Sequence, residues 1–394
     1  MPDNGPLHLR LLRLLRDQGA VSRAELAKAL DVPRPRLVAE LQRLVAAGYV
    51  AEAGPAASRG GRRSTLVELD PRLRFAAVDL GATSIDVEVT NGRLEPVIAY
   101  SEPADIRSGP RTILRRVNDL LAKAKVEGAY ERLAAIGIGV PGPVSFRDGV
   151  PVSPPIMPGW DRFPVRELLA REHGCPAVVD NDVNIMAIGE RHAGVASAVD
   201  DFLFVKIGTG VGCGIHLSGG VYRGTDGCAG DIGHIQVNQH GPACACGNVG
   251  CLEAVFGGAA LARDAAAVAR SGESPALAEK LAQAGAAGLT ARDVGEGVAE
   301  GDITCIRLIR DGGRAVGTVL AGLVSFANPS MIVIGGGLAQ LGHLLLAEIR
   351  SVVYRRSLPL ATGNLPVVLT ELGPRAGVTG AAVLASDLAL AQVP

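Results

Sequence analysis

Two stretches more than a hundred residues apart repeat one design: FAAVDLGATSIDVEVTNG, beginning at Phe75, and FLFVKIGTGVGCGIHLSGG, Phe202 to Gly220. Each is an apolar, β-branched run, a glycine turn and a returning run, which reads as strand, turn, strand. Recurrence of such a unit points to an internally duplicated fold, each half a sheet flanked by helices. A third glycine run, Gly335 to Gly337, follows the apolar strand MIVI and precedes a helix. Backbone amides in glycine turns can hold phosphate oxygens with no side chain in the way. The three turns therefore imply a nucleotide cleft between two lobes; ordinary hairpin turns are the competing reading.

A carboxylate near that cleft is supplied by VVDNDVNIMAIGE, Val178 to Glu190. The apolar run ends in Asp180, Asn181 and Asp182 before a helical stretch, which puts Asp182 at a strand-to-helix junction. There it can take a proton from a hydroxyl while Asn181 orients the same substrate. Helix capping by Asn or Asp explains the same residues equally well.

The stretch GHIQVNQHGPACACGNVGCLE, Gly233 to Glu253, holds His234, Cys244, Cys246 and Cys251, three of the chain's 7 cysteines. One imidazole and three thiolates form a usual closed shell of structural zinc, and Gly241, Gly247 and Gly250 let the loop fold tightly enough for the sulfurs to converge. Against zinc stand a disulfide, which suits a small secreted protein, and unlinked buried cysteines. The latter is expected of Cys175, Cys213, Cys228 and Cys305, which stand alone in apolar surroundings. No signal peptide is read at the N-terminus. The longest apolar stretch, around residues 317–339, is broken by Asn328 and Pro329, so a membrane span is not expected and the cytoplasm is the expected location.

Charge is uneven. Residues 1–75 hold 13 Lys plus Arg against 8 Asp plus Glu, a balance of +5, whereas the whole chain is at −1. A basic segment of this kind suits an acidic partner, or is simply a solvated basic surface. Its pattern favours the first. Leu7, Leu11, Leu14 and Leu15 fall at helical spacing in a helix ending at Gly19; SRAE, Ser22 to Glu25, is a capping box for a second helix with Leu26 and Leu30 buried. Pro33 and Pro35 fit only the first turn of a third helix, residues 33–47, with Leu37, Leu41 and Leu44 facing the core. GYVAEAG and STLVELD then read as strands joined by PAASRGGRR. This is a winged helix-turn-helix spanning residues 1–70, expected to bind double-stranded operator DNA. Arg34 and Arg36 sit where a recognition helix reaches base edges, Arg43 where it meets phosphate, and Arg59, Arg62 and Arg63 on the wing.

The zinc loop, glycine turns, NDVN segment and PPIMPGW with Trp160 together resemble the ROK family of repressors and sugar kinases, over roughly residues 75–394. The resemblance implies an α/β fold: an actin-like, hexokinase-like pair of ribonuclease-H-like lobes, assembled as homodimers or homotetramers. One lobe would span residues 75–185, with a C-terminal helix, 375–394, packed back on it, and the other residues 186–374. It also implies that His234, Cys244, Cys246 and Cys251 bind zinc and that Asn181, Asp182, Asp231, His234 and Glu253 contact a sugar, Asp182 in the position of a kinase general base. Nucleotide would lie at Asp79, Gly81, Thr83, Gly208, Thr209, Gly210, Gly335 and Gly336. The metal would hold His234 and Glu253 rigidly at the sugar.

Two residues depart from the family pattern. Asp231 stands for a glutamate, one methylene longer, and Ala82 for the second glycine of an Asp-x-Gly-Gly-Thr turn, where a methyl group can crowd a phosphate or demand a backbone angle alanine resists. The expected function is a sugar-responsive DNA-binding regulator, a repressor, with an ATP- and Mg-dependent sugar kinase as the alternative, and a zinc-stabilised scaffold as a third, weaker reading.

Overall fold

The computed structural model describes residues 5–55 and 65–393. Its N-terminal part is three helices and a small sheet. The first helix, Leu7–Gln18, ends at Gly19, whose φ of 77° lets the chain turn away while its N–H donates to Leu15 O. Leu11, Leu12 and Leu15 are fully buried, whereas Leu7 and Leu14 are only partly so. At the second helix, Arg23–Leu30, the Ser22 side chain accepts from Glu25 N and the Glu25 carboxylate accepts from Ser22 N, a reciprocal cap that contributes about 1 kcal/mol. The third, Arg34–Ala46, buries Leu37, Leu41 and Leu44. Strands β1 (Val21–Ser22), β2 (Val50–Pro55) and β3 (Thr65–Leu69) form an antiparallel sheet in the order β1-β3-β2. Arg59, Arg62 and Arg63 fall on the β2–β3 connection, outside the described residues.

Two five-stranded sheets follow. The first contains β4 (Phe75–Leu80), β5 (Ser84–Thr90), β6 (Pro96–Pro103), β7 (Ala135–Val140) and, after the two-stranded ribbon β8 (Val144–Ser145) and β9 (Val150–Pro151), β10 (Ala177–Asn181). The second contains β11 (Phe202–Ile207), β12 (Val211–Leu217), β13 (Gly220–Val221), β14 (Met331–Gly335) and β15 (Val367–Leu369). Their orders, β10-β7-β4-β5-β6 and β13-β12-β11-β14-β15, are the same topology: three antiparallel strands, then two parallel ones added beside the first. The duplication inferred from sequence is thus a duplication of topology, and each glycine turn joins the first two strands of its sheet.

Between the sheets lie the helices Asp182–Ala193 and Arg375–Ala391. They approach closely through glycine: a Cβ on Gly189 would overlap Ala376 O, and one on Gly380 would overlap Ile185 O. The former also packs on β11 and β12, the latter on β4 and β7. Helix Asp182–Ala193 runs unbroken through residues 185 and 186, so the chain crosses between lobes along a helix rather than at a linker. The C-terminal helix continues past its lobe: Leu390 and Val393 are buried in the winged-helix core. The apolar 303–327 region is a helix ending at Asn328 in the left-handed conformation, and among the described residues no helix is long and apolar enough to cross a membrane.

Candidate functional site

The glycine turns, the β10–helix junction and the cysteine loop converge on one cavity of about 870 Å³. Asp79, Gly81, Thr83, Asn181, Asp182, Gly208, Thr209, Gly210, Asp231, His234, Glu253 and Gly336 all line it. Gly335 does not. It is the buried last residue of β14, where a Cβ would overlap the Phe204 ring, so its glycine serves sheet packing, and Gly337 lines the cavity beside Gly336 instead. Cys228 corrects a second expectation: its side chain is exposed and lines the cavity. It lies in a loop outside any helix or strand, so the apolar residues beside it in sequence do not enclose it.

In the first turn, Gly81 N donates to Ser84 O at 3.0 Å. Ala82 is not among the residues with positive φ and packs against the first-lobe core, so alanine adopts this turn without backbone strain. Asp79, at the end of β4, is 8% exposed; burial pushes its carboxyl up to about 7, partly opposed by Lys206. Its Oδ1 is buried with no hydrogen-bond partner among the described residues, and a Cβ on Gly377 would overlap its Oδ2. In the second turn, Gly208 N donates to Gly210 O at 2.9 Å, and Gly210 lies so close to the Glu253 carboxylate that a Cβ would overlap it.

Asn181 caps the helix Asp182–Ala193: its Oδ1 accepts from Val183 N at 2.9 Å, while its Nδ2 donates to Gly142 O at 2.7 Å. Asp182 follows, its Oδ1 accepting from Val183 N at 2.8 Å and its Oδ2 ion-paired with Lys206. Sequence reasoning passed over Lys206, although a lysine inside the apolar strand FLFVKI was a signal. Burial draws the Lys206 ammonium down, but Asp182 and Asp79 outweigh it and hold the group above its ordinary value. Also unforeseen was Asp180, 1% exposed, which accepts from Asn184 Nδ2 at 2.9 Å and from Arg223 Nη2 at 2.6 Å. Arg223 lies over the Phe146 ring at 4.0 Å, tying the loop that carries Asp231 to the first lobe.

On the opposite wall, burial raises the carboxyls of Asp231 and Glu253, with His234 opposing both shifts. Glu253 Oε2 accepts from Val211 N at 3.2 Å, and His234 Nε2 lies 3.9 Å from Asp231 Oδ1. The other ring nitrogen, Nδ1, is 3.5 Å from Cys244 Sγ; Cys246 Sγ and Cys251 Sγ are 3.7 Å apart. The four ligand atoms lie within 4.8 Å of one another. A tetrahedral zinc with ordinary Zn–S and Zn–N lengths requires edges of about 3.8 Å between sulfurs and about 3.6 Å between sulfur and nitrogen. The quartet fits that shell, and the sulfurs are too far apart for a disulfide. Gly250, at φ 65° and against Asn238 O, permits the fold of the loop.

On the winged helix, Arg34 and Arg36 are exposed in the first turn of the third helix. Arg43, farther along, pairs with Glu40 at 2.6 Å.

A duplicated actin-like body with a cleft of the sugar-kinase type, preceded by a winged helix, defines the class of protein. Residues 75–388 match the ROK family and residues 4–64 the MarR family; the chain belongs to the ROK family. It is 29% identical over 386 residues to a xylose repressor of Caldicellulosiruptor bescii, covering 96% of this chain and 95% of that one. A solved ROK family transcriptional regulator, a homologue of the E. coli MLC protein, superposes with a TM-score of 0.81 at 25% identity, covering 97% of this chain and 95% of that one. A ROK family glucokinase from Streptomyces griseus, solved with glucose and AMPPNP, matches with a TM-score of 0.71 at 29% identity over 79% of this chain and 99% of its own.

Proposed function

We propose that this chain is a sugar-responsive DNA-binding transcriptional regulator, a repressor whose hold on operator DNA is set by a sugar in the cleft. The observation that carries the reading is the C-terminal helix, which touches both ends of such a mechanism. At Gly377 it lies against Asp79 on the cleft wall. Ten residues on, roughly 15 Å along the helix axis, Asp387 accepts from Arg16 Nη1 at 2.8 Å and Arg13 Nε at 3.3 Å, both from the first helix of the winged domain. Arg16 is nearly buried, and Leu390 and Val393 complete the winged-helix core. A sugar that binds one arrangement of the lobes better than another shifts their population, and this helix passes the difference to the DNA-binding module.

The cleft suits a neutral polyol. Asp182, Asp231 and Glu253 offer carboxylate oxygens to hydroxyls, and Asn181 is fixed beside them by its cap and its bond to Gly142. A structural zinc on His234, Cys244, Cys246 and Cys251 holds the loop so that His234 and Glu253 keep their places. Arg34 and Arg36 contact bases, and Arg43, Arg59, Arg62 and Arg63 contact phosphate or the minor groove. Two half-sites need two winged helices, so the working form is a homodimer or homotetramer. The retained Asp182 and the second glycine turn favour ATP-dependent sugar phosphorylation as the second reading.

Replacing Glu253 with Ala tests the site: operator affinity, read by fluorescence anisotropy, stays within about twofold of native, while release of the operator by sugar disappears. A sugar response unchanged in this variant contradicts the assignment. The Arg34→Ala/Arg36→Ala pair should lose discrimination between operator and scrambled DNA, with a flatter salt dependence.

A further inference from the structure

Lys206 and Asp79 hold the same place in the two halves of the duplication. Each is the fifth residue of its central strand and precedes the turn glycine, Gly208 or Gly81, by two. Each pairs across the parallel neighbour with a glycine, Asp79 with Gly139 and Lys206 with Gly335. Equivalent positions of a repeated unit thus carry opposite charges, and both line the one cleft. The Lys206 stem runs beneath the second glycine turn, its Cε 3.6 Å from where a Cβ on Gly208 would stand, and its ammonium meets Asp182 Oδ2.

Phosphoryl transfer from ATP calls for a divalent cation between carboxylates and phosphate oxygens. Asp79, with a buried oxygen that has no partner among the described residues, its cross-strand neighbour Asp86 and Asp182 are carboxylates at this end of the cleft. They do not fit a divalent ion as the chain stands, because a cation is already there. The ammonium is paired with Asp182, and burial makes Asp79 hold its proton to higher pH than a free carboxyl does. A divalent ion reaching Asp182 there would lie against an ammonium that repels it and has no lone pair to give.

We propose that Lys206 is a resident cation that takes the place of a divalent metal at the Asp79–Asp182 end of the cleft, so that the cleft binds a sugar without assembling phosphoryl-transfer machinery. This rests on the sugar-cleft reading and narrows it to binding without turnover. Lys206 also engages Asp182 directly: one of its oxygens accepts from Val183 N and the other is paired with the ammonium. Asp182 remains an acceptor for a sugar hydroxyl.

The test is a Mn2+ titration of the full-length, zinc-loaded protein, following free Mn2+ by electron paramagnetic resonance. The native chain should take up no Mn2+ that depends on Asp79. Lys206→Met keeps the stem and removes the charge; it should gain one Mn2+ per chain, bound at least about tenfold more tightly than by native protein, and Lys206→Met/Asp79→Asn should lose it. Where Lys206→Met does not fold, Lys206→Gln, which still donates to Asp182, replaces it. Native protein that binds Mn2+ in an Asp79-dependent way overturns the proposal, as does a folded Lys206 variant that gains none. Operator binding by the native protein is measured alongside. Its absence contradicts the regulator reading whatever Mn2+ does, whereas failure of the Mn2+ test alone removes only the role of Lys206.

Discussion

The first and second glycine turns occupy equivalent corners of equivalent sheets, yet they solve opposite electrostatic problems. Asp79, before the first, is a buried acid with an oxygen that has no partner among the described residues; Lys206, before the second, is a base paired with the carboxylate beside it. Duplication fixes where a side chain is placed, and the two copies have since diverged in what they place there. The second turn thus already places a cation beside Asp182, which suits a sensor better than a phosphotransferase.

The largest effect is expected from making the two turns alike. Lys206→Glu turns the second into a charge copy of the first and leaves Asp182 facing another acid. Removing one partner of a buried pair costs about 3–5 kcal/mol, to be read as lost unfolding free energy in urea. A loss below about 1 kcal/mol would mean that Asp182 is well solvated without its partner.

A smaller effect is expected where the C-terminal helix meets the first turn. The methyl of Gly377→Ala would overlap Asp79 Oδ2, forcing helix and strand apart at a cost of about 1–3 kcal/mol. Gly322, inside the helix Ile303–Ala327, has nothing among the described residues within 4 Å of a Cβ. Gly322→Ala should therefore stabilise by about 0.5–1 kcal/mol. Equal melting temperatures for the two variants would show that the contact at Asp79 is loose.

A pH-dependent effect concerns Asp79 itself. Its pKa rises from 3.8 to about 7 on folding, chiefly through burial. A raised carboxyl favours the fold while protonated, so that contribution is complete below the unfolded value and is lost as pH climbs through the folded one. Asp79→Asn should flatten the decline of melting temperature between about pH 4 and pH 7 and gain relative to native protein on the alkaline side. A parallel pH profile in the two proteins would place the titration elsewhere.

Much of this was legible in the sequence because it is local. The Ser22–Glu25 cap, the leucine faces of the first three helices, the strand–turn–strand repeats and the His234–Cys251 spacing are each written within about two dozen residues. What was not legible depends on elements far apart. Lys206 finds Asp182 only when β11 and the end of β10 reach the same cleft. Gly335 looked like a phosphate turn because glycine after a strand has the same signature whether it clears space for a ligand or, as here, for the Phe204 ring. The packing of Leu390 and Val393 into the winged helix joins chain ends whose separation no periodicity spans.

The most direct test of the account is the response of a protein–operator complex to sugars. Purified full-length protein would be bound to labelled DNA from upstream of its own gene and titrated with hexoses, pentoses and amino sugars, with ATP turnover followed in the same samples. Operator release by one sugar is expected, unaffected by Mg2+ and without ATP consumption. Sugar-dependent ATP consumption with no change in DNA binding would contradict it.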